Sequence, residues 1–125
     1  MASSPTACAQ ACRLSALFLI SILMAAPLQA ELLITEFLAG NDSTLTDEDG
    51  DSSDWIELFN SGTGPADLGG YHLTDDAANL TKWQFPAGVT LGASKFLLVF
   101  ASDKDRRVAG SELHANFKLA TGGEY

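Results

Sequence analysis

The segment WIELFN, residues 55–60, decides how this chain folds. Successive side chains of a β-strand point to opposite faces, so Ile56 and Leu58 lie on one face and Glu57 lies on the other between two aromatic residues. A carboxylate on the second face predicts that this face is partly solvated. The turn-forming residues NSGTG overlap its end, so the segment is predicted to be a half-buried strand that stops at a tight turn.

Five further segments have the same character, because they are rich in β-branched, aromatic and leucine residues and are separated by residues that form turns. They are LLITEFLA (32–39), GYHLT (70–74), KWQF (82–85), KFLLVFA (95–101) and NFKLA (116–120). No helix-length amphipathic stretch occurs among them. Several short strands at this spacing predict a β-sandwich or barrel.

The segment FLLVF, residues 96–100, is apolar on both faces. Such a run predicts a central strand that is buried on both sides. We expect Phe96, Leu98 and Phe100 to share a buried face of that strand.

Residues 1–30 have the three parts of a secretory signal peptide. Arg13 is their only charged residue, an apolar run covers 14–26, and the small residue Ala30 precedes the cleavage point. The run is too short for a transmembrane span, which needs about 20 apolar residues. We therefore predict cleavage before Glu31, a secreted or cell-surface location, and no membrane insertion of the mature chain.

The mature chain, 31–125, has the composition of one acidic domain. It contains no cysteine, because Cys8 and Cys12 both precede the cleavage point, so disulfides and thiolate metal sites are excluded. Cleavage removes one of the seven Lys and Arg residues and none of the sixteen Asp and Glu residues, which leaves a net charge of −10. Such a surface repels phosphates, and we expect no nucleic-acid partner.

Five segments, in this order, resemble the lamin-tail domain in its bacterial secreted form. They are LLITEFLAGN, DWIELFNSG, ADLGGYHLTDD, WQFPAGVTLGASKFLLVFAS and HANFKLATGGEY. The resemblance implies an all-β fold, an immunoglobulin-like antiparallel β-sandwich over 31–125. It also implies a non-catalytic module that is attached to other extracellular domains or to a surface-anchoring region.

The family pattern continues with further strands after the position of GGEY, whereas this sequence ends at Tyr125. We therefore expect the domain over 31–125 to be incomplete at its C-terminus. A sandwich without its last strands would have an unpaired edge and a core that is open to water.

An acidic stretch, TDEDGDSSD (46–54), precedes the first quoted strand. It does not fit an EF-hand loop, because Ser52 and Leu58 stand where glycine and a bidentate glutamate are required. It resembles one unit of thrombospondin-type calcium repeats, and the candidate calcium ligands would be Asp47, Asp49, Asp51 and Asp54. The alternative is a solvated loop whose side chains cap its own backbone, with no cofactor bound, and we favour this alternative.

No enzyme motif stands out. His72 lies inside a predicted strand and His114 opens the segment HANFKLA, which contains another, and neither accompanies a nucleophile motif such as G-x-S-x-G. The pair Arg106 and Arg107 lies in the charged segment SDKDRR, where neighbouring aspartates offer surface ion pairs of little energetic value. We expect no catalytic activity in this chain.

Together these features predict a non-catalytic extracellular module for attachment or presentation, whose partner is a protein or polysaccharide surface. The alternative is the N-terminal accessory domain of a larger secreted enzyme, of hydrolase, nuclease or spore-coat kinase-like type, whose catalytic part lies beyond residue 125.

Overall fold

A computed structural model describes residues 31–122, and every regular element among them is a β-strand. The strands are β1 (Leu32–Leu38), β2 (Asp54–Asn60), β3 (Ala66–Asp67), β4 (His72–Leu73), β5 (Trp83–Gln84), β6 (Thr90–Leu91), β7 (Phe96–Ala101) and β8 (Leu113–His114). This part of the chain has no helix of the length and apolarity that crossing a membrane requires. The predicted signal peptide lies outside the described residues.

The strands form one large sheet and two small ladders. The large sheet has the order β1-β2-β7-β8, and the ladders pair β3 with β6 and β4 with β5. All pairs are antiparallel except β7 with β8, which is parallel. The predicted all-β, immunoglobulin-like sandwich is confirmed, with the two ladders packed over one face of the large sheet.

The core lies between the large sheet and the ladders. Trp83 of β5 is fully buried there, and its ring meets the edge of the Phe85 ring at a centroid distance of 4.8 Å. Ile56 and Leu58 of β2 face this core as predicted. Glu57 faces the opposite, half-solvated side and accepts a hydrogen bond from the Thr35 hydroxyl at 2.7 Å.

The end of β2 joins the two layers through Asn60. Its side-chain amide is fully buried and donates to the carbonyl groups of Gly64, at 2.8 Å, and of Leu91 in β6, at 2.9 Å. Its amide oxygen accepts from the backbone N–H of Gly62. A buried amide must be satisfied in this way, so the turn after WIELFN is fixed against the opposite layer.

The predicted face of β7 was wrong. Val99 and Ala101 belong to the core, with Leu97 packed against it, whereas Phe96 and Leu98 lie on the outer face of the large sheet. Phe96 is exposed and stacks on Phe59 of β2 at 4.6 Å. The strand is thus interior to the sheet, but only its C-terminal half is buried on both sides.

That C-terminal half is covered on the outer face by a second, smaller cluster of buried rings. Phe100 is opposite Trp55 in the register of β2 and β7, and both residues are buried. Phe100 also stacks on the imidazole of His114 in β8, at a centroid distance of 5.5 Å. These three residues are not part of the main core. The loops that follow β1 and β7 must therefore shield them from solvent.

Two differences from the predicted strands concern the C-terminal region and the short ladders. The segment NFKLA (116–120) does not form a regular strand, although Lys118 makes one isolated bridge with Ser102. The regular strand in this region is β8, which precedes the segment. The two-residue strands β3 and β6 were not predicted, because segments this short carry no readable alternation.

Strand β1 lies at the edge of the large sheet and contains a β-bulge between Ile34 and Glu36. The extra residue places Ile34 and Phe37, three positions apart, on the core-side face opposite Leu58 and Ile56. Both side chains nevertheless remain more than half exposed, at 58% and 64%. We call these two side chains the β1 apolar surface.

Apolar clefts border this surface on the side of the β4–β5 ladder. One is lined by Ile34, Leu58 and Leu73, and the other by Phe37, Ile56 and part of the C-terminal segment. No described strand pairs with the free edge of β1. Within residues 31–122, β1 is therefore an edge strand with one unpaired side.

The face assignment of β7 can be tested with one substitution at two neighbouring positions. Val99→Lys buries an ammonium group in the core and is expected to prevent folding. Leu98→Lys places the same group beside Glu57 on the outer face and should cost only about 1 kcal/mol. Thermal melts of the two variants check this, and equal destabilisation by both would contradict the assignment.

Candidate functional site

The acidic loop, residues 46–53, is organised around the carboxylate of Asp47, whose side chain is fully buried. One of its oxygens accepts hydrogen bonds from the backbone N–H groups of Asp49 and Asp51, each at 3.0 Å. The other oxygen accepts from the Ser53 hydroxyl at 2.8 Å. Gly50 has a φ of 83°, a conformation that glycine adopts without strain, and it lets the loop turn back on itself.

A basic segment, residues 102–107, lies against this loop. The ammonium group of Lys104 contacts three carboxylates, at 2.6 Å from Asp47, 2.7 Å from Asp49 and 3.0 Å from Asp51. The lysine is itself about four-fifths buried, so these are not freely solvated pairs. One cation of the protein thus holds the three acidic side chains together.

Arg106 makes the second set of contacts. Its guanidinium donates to Glu48 at 2.6 Å and to Asp49 at 2.7 Å. Arg107 forms instead the local pair with Asp105 that the sequence suggested. We call the interlocked residues the ion-pair cluster, which comprises Asp47, Glu48, Asp49, Asp51, Lys104 and Arg106.

The backbone of the basic segment explains how the two cations reach the loop. Asp103 and Asp105 have positive φ values of 63° and 50°, which aspartate tolerates better than most residues. Their N–H groups donate to the carbonyl oxygens of Phe117 and Ala115. Alternate residues of the segment are thus fixed to the C-terminal chain, and the side chains between and after them extend over the acidic loop.

The contacts within the cluster shift the pKa values of Asp47, Asp49 and Lys104 in the direction that favours their charged forms. Burial alone would raise the pKa of Asp47, but hydrogen bonds from Lys104, Ser53 and the loop backbone outweigh it and hold that pKa well below its usual range. Burial alone would lower the pKa of Lys104, but its hydrogen bonds to the three aspartates raise it above its usual range. Hydrogen bonds from Arg106 and Lys104 also lower the pKa of Asp49. These three side chains are therefore unsuited to proton transfer near neutral pH.

The structure brings the first three candidate calcium ligands together and separates the fourth, Asp54. The Asp54 carboxylate accepts hydrogen bonds from the backbone N–H groups of Gly40, Asn41 and Leu119, at 2.8, 3.2 and 3.2 Å. It therefore ties the end of β1 to the C-terminal segment. The solvated-loop alternative expected acidic side chains to cap the loop backbone, and Asp47 does accept hydrogen bonds from two loop N–H groups. Its carboxylate, however, is buried and not solvated.

The residues that hold the loop in place were not recognised from the sequence. Lys104 and Arg106 are more than fifty positions away from their carboxylate partners, and a run of mixed charges is usually a solvated turn. The only usable signal was an excess of acidic residues in one loop and of basic residues in another. The two histidines are not brought together, because His72 is exposed in β4 and His114 is buried beneath the acidic loop.

The geometry defines a class of protein: an immunoglobulin-like all-β module whose charged cluster stabilises a loop. The family model of the Lamin Tail Domain matches residues 25–124, and the chain belongs to that family. The family is one of non-catalytic immunoglobulin-like domains, so the resemblance to the lamin-tail domain is confirmed. Neither the curated proteins nor the solved structures gave a match.

The buried pair of Asp47 and Lys104 predicts a defined dependence of stability on pH. Because the folded pKa of Asp47 lies below its unfolded value near 4, the unfolded chain binds more protons in acid. This contribution is present above about pH 4 and is lost as the pH falls towards the folded pKa. The contribution of Lys104, whose folded pKa is raised, is present below about pH 10 and is lost at higher pH.

Asp47→Asn should therefore cost about 2 kcal/mol at pH 7 and flatten the loss of stability that develops as the pH falls below about pH 4. The measurement is urea unfolding at several pH values. Asp42→Asn, which changes an exposed aspartate just before the same loop, is the matched control and should follow the wild type. Parallel curves for Asp47→Asn and the wild type would contradict the assignment.

The solvated-loop alternative, without bound calcium, stays our prediction, and the position of Lys104 gives a physical reason for it. A calcium ion coordinated by Asp47, Asp49 and Asp51 would have to displace an ammonium group that already contacts all three carboxylates. We expect calcium to raise the melting temperature of the wild type no more than magnesium at equal ionic strength. Lys104→Met should create a calcium-dependent rise, because three mutually repelling carboxylates then remain.

Lys118→Met is the matched control for this measurement, since Lys118 borders the same polar recess without contacting the three aspartates. Stabilisation of the wild type by calcium but not by magnesium, abolished in Asp49→Asn/Asp51→Asn, would instead establish the loop as a calcium site.

Proposed function

We propose that this chain is the non-catalytic attachment module of an exported bacterial protein, acting in the secreted or surface-bound state. Membership of the lamin-tail family supports the non-catalytic part of this proposal. The signal-peptide pattern of residues 1–30, with its apolar run and Ala30 before the cleavage point, supports export. The mature domain would then begin at Glu31.

The observation that carries the attachment role is the β1 apolar surface. Ile34 and Phe37 face the core side of the sheet, yet both stay more than half exposed beside an unpaired strand edge. A free strand edge beside exposed apolar side chains can be recognised by an added β-strand, through main-chain hydrogen bonds and side-chain pockets. Exposed apolar surface of this kind marks an interaction site.

The chemistry of this surface favours a protein partner over a polysaccharide. The bordering clefts are lined mainly by leucine, isoleucine and phenylalanine side chains, and their polar lining residues are Tyr71, His72, Thr74 and Asp75. The strongly negative surface disfavours nucleic acid and anionic lipid as partners. The proposed partner is therefore an extended polypeptide segment on another surface protein.

The test compares envelope retention of the exported full chain in its bacterial host. Wild-type protein should fractionate with the envelope, and Ile34→Ser/Phe37→Ser should be released into the medium, because the substitutions remove the apolar contacts. Both positions are exposed, so each change should cost the fold less than about 0.5 kcal/mol. Leu80→Ser/Val108→Ser removes two equally exposed apolar side chains elsewhere and is the matched control.

Two results would contradict the proposal. Equal retention of the β1 variant and the wild type would remove the β1 apolar surface from the attachment role. An N-terminus at Met1, combined with membrane retention that resists carbonate, would contradict export with cleavage before Glu31.

A further inference from the structure

The imidazole of His114 presents a polar atom that no described group satisfies. The side chain is fully buried and stacks on Phe100. Its Nδ1 lies 2.8 Å from the Ser102 hydroxyl oxygen, whereas its Nε2 is buried without a hydrogen-bond partner. A buried polar atom without a partner carries a desolvation cost, so the surroundings of Nε2 need an explanation.

Two carboxylates face that nitrogen. The Oε1 atom of Glu112 lies 3.3 Å from Nε2 and the Oε1 atom of Glu48 lies 3.8 Å from it. All three ligand atoms lie within 4.8 Å of one another. Glu112 is held in this position because its Oε1 accepts a hydrogen bond from the backbone N–H of Glu48 at 2.7 Å. Three electron-pair donors therefore converge on one point from β8, the residue preceding β8 and the acidic loop.

We propose that Glu48, Glu112 and His114 bind a divalent transition-metal ion of the zinc class. Zinc binds imidazole nitrogen and carboxylate oxygen at about 2.0 to 2.2 Å, and tetrahedral angles then place neighbouring ligand atoms roughly 3.3 to 3.6 Å apart. The distances from Nε2 to the two carboxylates bracket this range. The Oε1 atom of Glu48 already accepts a hydrogen bond from Arg106 at 2.6 Å, so this carboxylate would be shared between the guanidinium and the ion.

The second ring nitrogen is arranged as a metal-binding histidine requires. Ser102 is buried, and its hydroxyl oxygen can accept the Nδ1–H of the imidazole. That tautomer directs the Nε2 lone pair between the carboxylates. An outer hydrogen bond of this type fixes the ring of a ligating histidine and increases its basicity.

The local charge also matches a divalent ion. The proposed ligands Glu48 and Glu112 carry two negative charges, which equal the charge of one divalent cation. Arg106 contacts Glu48 and Asp49, and Lys104 contacts Asp49 as well. A nitrogen ligand disfavours calcium and magnesium, so this site differs in chemistry from the aspartates around Lys104.

The ion would reach the site from the solvent side. The side chains of Glu48 and Glu112 are 43% and 30% exposed, whereas His114 lies beneath them. Three protein ligands leave a fourth position for water, as in other open zinc sites. In this protein the ion would join the acidic loop to β8 and so close the outer face of the sheet.

The test is calorimetric titration of the full chain with zinc chloride, together with the visible absorption of the cobalt(II)-loaded protein. We expect one zinc ion per chain and the cobalt spectrum of a tetrahedral nitrogen and oxygen site. Glu112→Gln, at a partly exposed position, should weaken binding about 100-fold or more, and Ser102→Ala should weaken it about tenfold through the orientation of His114. His114→Gln should abolish it.

Two matched controls should retain wild-type affinity. His72→Gln removes the other histidine, and Asp51→Asn removes a carboxylate that contacts Lys104 but lies outside the proposed site. Binding that survives Glu112→Gln, or that is lost in Asp51→Asn, would overturn the proposal. So would the absence of zinc binding. A proton on Nε2 in nitrogen NMR spectra would then identify Glu112 as the group that satisfies that nitrogen.

Discussion

The carboxylate of Asp47 is buried in a protein whose surface is strongly negative, and such a group persists only if it is neutralised and fully hydrogen-bonded. Its four hydrogen bonds come from two loop N–H groups, Ser53 and Lys104, so two distant segments of the chain must meet before it is satisfied. This requirement places the basic segment over the acidic loop. Because β7 leads directly into the basic segment, the loop is fixed to the interior of the large sheet.

The contacts between the acidic loop and the basic segment also explain why part of the outer face of the large sheet is buried. Trp55, Phe100 and His114 form a second buried cluster on the outer face, at the end where the loop and the basic segment lie. At the other end of the same face, Phe59 and Phe96 stack on each other and Phe96 remains open to solvent. Burial on this face therefore follows the ion-pair cluster above it, since aromatic residues stand at both ends of the face, on either side of Glu57.

Sequence reasoning predicted the parts of the fold that depend on local pattern. WIELFN was oriented correctly, because Glu57 marks the solvated side. FLLVF was not, because a strand that is apolar on both faces contains no marker of orientation, and the core-facing residue proved to be Val99 and not Leu98. The bulge in β1 was also invisible, since one inserted residue moves Phe37 to the face of Ile34 without any compositional signal.

Only the acidic half of the candidate site was predicted from the sequence, because local pattern does not show which distant residues meet in the fold. Its acidic half was conspicuous as a run of carboxylates, but the partners that neutralise them come from a segment 55 to 58 positions away. Only the topology, which places the chain after β7 beside the loop before β2, brings opposite charges together. An Asp-rich loop can therefore look like a cation site in sequence while the protein supplies the cation itself, and the feature that distinguishes the two cases is a lysine positioned by the fold.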